Sequence, residues 1–112
     1  MFRKLIFLSP LLSMPVVVNA EVVTCDNSEI VQVYVQGKRD DSLYWQNSLV
    51  IQYKNECGGK NWTHTDIDSR AMSGFLSVAL TAKTTGKKVN VAVNTSNPKP
   101  HSNELAFIGI SD

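Results

Sequence analysis

The side chains able to do chemistry are few and scattered. Histidines occur at His64 and His101 only, cysteines at Cys25 and Cys57 only, and the acidic residues near a histidine are Asp66 and Asp68. Covalent hydrolysis needs a nucleophile and a base held by a third group. No serine here sits in a nucleophile elbow, and Asp66 and Asp68 read better as residues at a helix start. The two cysteines lack the short spacing of zinc ligands. The chain is therefore read as a non-enzyme without a metal or cofactor. The flat side chains Tyr34, Tyr44, Trp45, Tyr53 and Trp62 offer a different chemistry. Such rings stack on the C–H faces of sugars, although they also serve in cores and interfaces. Trp62 stands out because it lies in the polar stretch "NWTHT" beside Gly58-Gly59.

The beginning of the chain says where those residues work. Arg3 and Lys4 precede an apolar stretch, and "VNA" puts small residues where a signal peptidase reads. Residues 1–20 are predicted to be a signal peptide cleaved after Ala20, giving a secreted or periplasmic protein. The apolar stretch is too short for a comfortable membrane span, and nothing later approaches one. Export and an even cysteine count predict a Cys25–Cys57 disulfide. Closing that loop is worth roughly 3 kcal/mol in the chain-entropy treatment. Without Arg3 and Lys4, nine of the eleven basic residues remain against ten acidic ones. That near-neutral balance excludes an electrostatic footprint for nucleic acid.

Residues 21–112 are predicted to form one binding domain of mainly β structure with a single α-helix. The strands are expected at 28–37, within 43–55, at 61–65, at 87–94 and at 104–111, from β-branched alternation between turn formers. The stretch "TSNPKPHSN" (95–103) is expected to be irregular because of its prolines. The helix is expected from about Asp66 to Thr85. Thr65 or Asp66 would cap it and Gly86 would stop it. The predicted order is β-β-β-α-β-β, which matches a five-stranded OB-fold barrel.

On a helical wheel the apolar residues of 66–85 cover well over half the circumference. A domain this small has little material to bury both sides of such a helix. The second side is therefore expected to meet another copy of the chain. Arg70, Met72, Ser73, Leu76, Ser77 and Leu80 are the candidate interface residues. Small polar side chains dominate the remaining strip.

The stretch "SVALTAKTTGKKVNVAV" followed by "NELAFIGIS" resembles the C-terminal half of B subunits of the subtilase-cytotoxin type, which are OB-fold binding subunits of AB5 toxins. The resemblance implies a homopentamer with its helices around a pore. It also implies cell-surface glycans as ligands, often ending in sialic acid, and an enzymatic A subunit as a further partner. Ser28 matches a family serine that contacts the sugar, and its neighbours Asp26 and Asn27 join it. With Trp62 these form the candidate glycan site. Val93 stands where the family has a sugar-contacting tyrosine. The alternative is an exported adaptor or inhibitor that binds a protein and has no sugar site.

Overall fold

The computed structural model describes residues 21–111; the signal peptide expected at 1–20 lies outside the described residues. The domain is mainly β with one helix. Its elements are β1 (Val22–Ser28), β2 (Ile30–Gln36), β3 (Ser48–Cys57), β4 (Lys60–Asp66), α1 (Met72–Thr85), β5 (Val89–Lys99) and β6 (Ser102–Ile110). They form a single six-stranded sheet in the order β1-β5-β6-β4-β3-β2. Every pairing is antiparallel except β4 with β6.

This corrects the expected five-stranded barrel and its order β-β-β-α-β-β. The extra strand is β1, which opens with the β-branched Val22, Val23 and Thr24. Only Glu29 separates β1 from β2, yet they lie at opposite edges of the sheet. The ladder does not close between them. The sheet curls enough for Cys25 of β1 to reach Cys57 at the end of β3. Their disulfide is present, with Cα atoms 6.0 Å apart. The Lys54 amide also donates to the Glu29 carbonyl at 2.9 Å.

The other corrections have local causes. Asp66 pairs with Ser48 as the last residue of β4, so neither it nor Thr65 caps the helix. Its carboxylate instead accepts the Asp68 amide at 3.0 Å, and its carbonyl accepts the Ser69 amide at 2.9 Å. These bonds hold residues 67–71 in a turn, and the helix starts at Met72 without a side-chain cap. Its other end is as expected. Gly86 adopts the left-handed conformation, and the Lys87 amide returns to the Ala82 carbonyl at 3.0 Å. The proline-rich stretch is also more regular than expected. β5 continues to Lys99, and β6 begins at Ser102. The register slips between Asn94 and Lys99, so Pro98 lies in an irregularity where its missing N–H does little harm. In β2 a register shift between Ile30 and Gln32 breaks the expected alternation. Ile30 therefore joins the core together with Val33.

The β3–β4 hairpin turns on Gly58 and Gly59, both with positive φ, as a two-residue turn of this kind requires. Gly58 has a second reason to be glycine. A Cβ there would come within 2.9 Å of Asn103 Nδ2. That amide donates to the Gly58 carbonyl at 3.0 Å and the Cys57 carbonyl at 3.2 Å.

The core lies on the inner face of the sheet. Leu49, Ile51 and Tyr53 of β3 meet Val89, Val91 and Val93 of β5 there, under Ala79 and Ala82 of the helix. The two alanines let α1 approach closely. Met72, Phe75, Leu76 and Val78 are half-buried against this core, while Leu80 remains 46% exposed. The helix thus buries a narrower face than the wheel anticipates.

Candidate functional site

Successive residues of a strand face opposite sides of a sheet. The register puts Gln32 and Tyr34 of β2, Val50 and Gln52 of β3, Trp62 and His64 of β4, and Ser102 of β6 across from one another, opposite the core. On this outer face the β2–β3 loop, residues 37–47, folds back over the sheet. Asp41 organises the loop. It accepts both Nε and Nη2 of Arg39, at 2.9 and 2.6 Å, and the Leu43 amide at 3.2 Å. The Arg39 guanidinium and this amide hold the Asp41 carboxyl down at about 2. Arg39 also reaches Gln36 Oε1 at 2.9 Å, and Lys99 Nζ donates to the Tyr44 carbonyl at 2.8 Å.

The result is a chain of rings. Tyr34 stacks on Trp62 with centroids 6.1 Å apart and planes 19° apart. Trp62 meets Trp45 at 4.8 Å and 40°, and Trp45 meets Tyr44 at 5.2 Å and 69°. Tyr44 then meets His101, in the β5–β6 turn, at 6.2 Å and 51°. Tyr34 is 44% exposed, Trp45 and Trp62 are half-buried, and the Tyr34 hydroxyl bonds Gln32 Oε1.

Behind the rings lies a buried polar chain. Trp45 Nε1 donates to Ser102 Oγ at 2.9 Å, and Ser102 Oγ lies 2.6 Å from His64 Nδ1. A serine hydroxyl has one proton to give. If it gives that proton to Nδ1, the neutral imidazole carries its own on Nε2. His64 is only 3% exposed, and Nε2 has no partner. Gln52 Oε1, on the neighbouring strand, is also without one. Burial pulls the imidazole pKa down to about 4. Lys99 adds to that fall, while Glu104, the Asn97 backbone and Asp66 oppose it.

The residues expected to form the sugar site do not come together. Trp62 belongs to the ring chain, whereas Asp26, Asn27 and Ser28 lie on β1, with β5 and β6 between β1 and β4. Asn27 adopts a left-handed conformation where the β1 register shifts. Its amide donates to Asn90 Oδ1 at 3.1 Å. Asp26 is exposed, but Ser28 is buried and paired with Val89. Val93 is fully buried in the core, so its side chain offers nothing to a ligand. Arg70 sits in the turn before α1 rather than on it, and Ser73 and Ser77 are exposed on the helix.

Tyr34, Tyr44 and Trp45 were individually recognisable as stacking residues. Their grouping with Trp62, His64 and Ser102 was not. The i, i+2 pairs Gln32–Tyr34 and Trp62–His64 were the available signal, because they put polar and aromatic side chains on one face.

No protein-family model matches the chain, and a search of curated proteins finds no match.

Proposed function

We propose that this is an exported carbohydrate-binding domain of the OB type that works as a homo-oligomer, in the manner of the subtilase-cytotoxin B subunits it resembles. The observation that carries the reading is the ribbon Tyr34–Trp62–Trp45–Tyr44 on the outer face of the sheet. Aromatic faces with amide and hydroxyl groups between them suit a sugar, which offers C–H patches and hydroxyls together. The OB assignment draws on the chain path. β1 and β2 follow one another with only Glu29 between them and lie at the two edges that the curl of the sheet brings towards each other. An OB-fold is itself a partly open five-stranded barrel. Self-association is supported by the exposed Leu80 beside half-buried Met72 and Leu76. Export rests on the leader at 1–20, with five as the copy number the resemblance implies.

The test is a glycan array probed with the exported protein. The expected result is retention of a defined glycan class that Trp62→Ala loses and Ser28→Ala keeps. Binding by neither the wild type nor any assembled form would end the sugar reading. Sedimentation should give a single multiple of the mature chain; a monomer at micromolar concentration would remove the oligomer.

The adaptor reading has one observation in its favour. Phe107 is half exposed, and its ring lies over Gly109 on the sheet surface. Capture of a protein ligand that Phe107→Ser abolishes would favour that reading.

A further inference from the structure

We infer that the ribbon takes an extended, uncharged oligosaccharide chain rather than a single terminal acidic sugar. This rests on the carbohydrate reading above and narrows its ligand.

Length is the first argument. A monosaccharide is held by one or two rings. Here five rings follow one another from β2 across β4 to the loop and the β5–β6 turn, with neighbouring centroids 4.8 to 6.2 Å apart. The pyranose units of an extended chain succeed one another at comparable spacing. A shallow groove of about 400 Å³ bordered by Tyr34, Val35, Gln36, Gly37 and Arg39 adjoins the ribbon at Tyr34.

Shape is the second argument. Successive planes tilt by 19°, 40°, 69° and 51°. Packed chains in a flat polymer surface need coplanar rings. A single flexible chain can follow a twisted path, turning its C–H faces to one ring after another.

Charge is the third argument. An acidic sugar is recognised by a free cation or by a fork of donors. The charged groups around the ribbon are engaged within the protein. Arg39 is held by Asp41 and Gln36, Lys99 by the Tyr44 carbonyl, and Glu104 Oε1 by Asn94 Nδ2 at 3.2 Å. Gln32 and Gln52, half-buried polar side chains of this face, carry neutral amides, which suit hydroxyl groups rather than a carboxylate.

The test is calorimetric titration of the exported protein with three sets of probes. The first is β-1,4-linked N-acetylglucosamine oligomers of one to six units, and the second is α-1,4-linked glucose oligomers of the same lengths. The third is lactose against 3′-sialyllactose. If the array finds another linkage class, oligomers of that class are titrated by length as well. Affinity is expected to rise with length by roughly tenfold or more between one unit and four, and to change little with salt. Trp62→Ala and Tyr34→Ala should each remove the length dependence, with circular dichroism verifying that both variants fold. Sialyllactose should bind no more tightly than lactose. Equal affinity for one unit and for six, or sialyllactose favoured by roughly tenfold, would overturn the inference while leaving a sugar-binding protein. Absence of binding to every glycan on the array would overturn the function as well.

Discussion

The two faces of β3 bury their side chains by different means. On the inner face, Leu49, Ile51 and Tyr53 are covered by β5 and the helix, and the Tyr53 hydroxyl is paired with Thr63 Oγ1 at 2.9 Å. On the outer face, Val50 is just as completely buried, but its neighbours there are His64, Gln52 and the rings. His64 and Gln52 each retain an unpartnered atom. The inner face is closed by secondary structure and is mostly apolar; its hydroxyls are the paired Tyr53 and Thr63 and the buried Thr65 Oγ1, which has no partner. The outer face is closed by a loop that brings tryptophan with it. A stability role accounts for the first arrangement. The second carries two unpaired polar atoms beneath the rings, against one on the inner face, at a penalty of about 1–3 kcal/mol each.

Three perturbations separate the faces, and the largest should come from the inner one. Ile51→Ala removes a fully enclosed side chain and should destabilise the domain by about 2–5 kcal/mol in urea unfolding. A loss below about 1 kcal/mol would mean that the inner face is loosely packed.

Acid is the second perturbation and addresses the outer face. His64 is held neutral, with its pKa at about 4 against an ordinary value near 6.5. Protonation therefore favours the unfolded chain. The stabilisation is complete above pH 6.5 and is lost as pH falls from about 6.5 to about 4, amounting to about 2–3 kcal/mol. His64→Gln should flatten that part of the profile; an unchanged slope would place the acid sensitivity in the carboxylates instead. Trp45 fluorescence should report the same transition if the loop loosens with His64.

The smallest effect is expected from Ser102→Ala. It leaves Trp45 Nε1 and His64 Nδ1 without their shared partner, at about 1–2 kcal/mol. It should also raise Trp45 mobility without disturbing the aliphatic face. If methyl resonances of Leu49 and Val91 shifted as much as the Trp45 indole signal, the two faces would not be independent.

Several features were legible because they depend on neighbours in the chain. The alternation in 87–94 and 104–111 marked β5 and β6, and the Gly86 stop marked the end of the helix. The disulfide was expected from the even cysteine count together with the predicted export. The start of the helix was misplaced because Asp66, a good capping residue, is used by its backbone as the end of β4. Locally, strand end and helix cap look alike at that residue. β1 carries no comparable mark, because Val22 and Val23 come soon after the apolar stretch ending at Val18 with no Gly or Pro between them. The prolines of 95–103 concealed an irregular strand end that cross-strand pairing nevertheless tolerates.

By itself the amino-acid sequence determined a chain rich in strands, with one helix, one disulfide and an ample supply of stacking side chains. Periodicity, turn residues and cysteine number act over a few positions or by simple count. Only the tertiary structure decided that six strands form an open sheet, that Trp62 leaves Asp26, Asn27 and Ser28 to join Tyr34, Trp45 and Tyr44, and that His64 lies neutral beneath them. Those relations depend on the curl of the sheet and on the path of the 37–47 loop. Both arise from contacts between residues far apart in the chain, where local pattern carries no information.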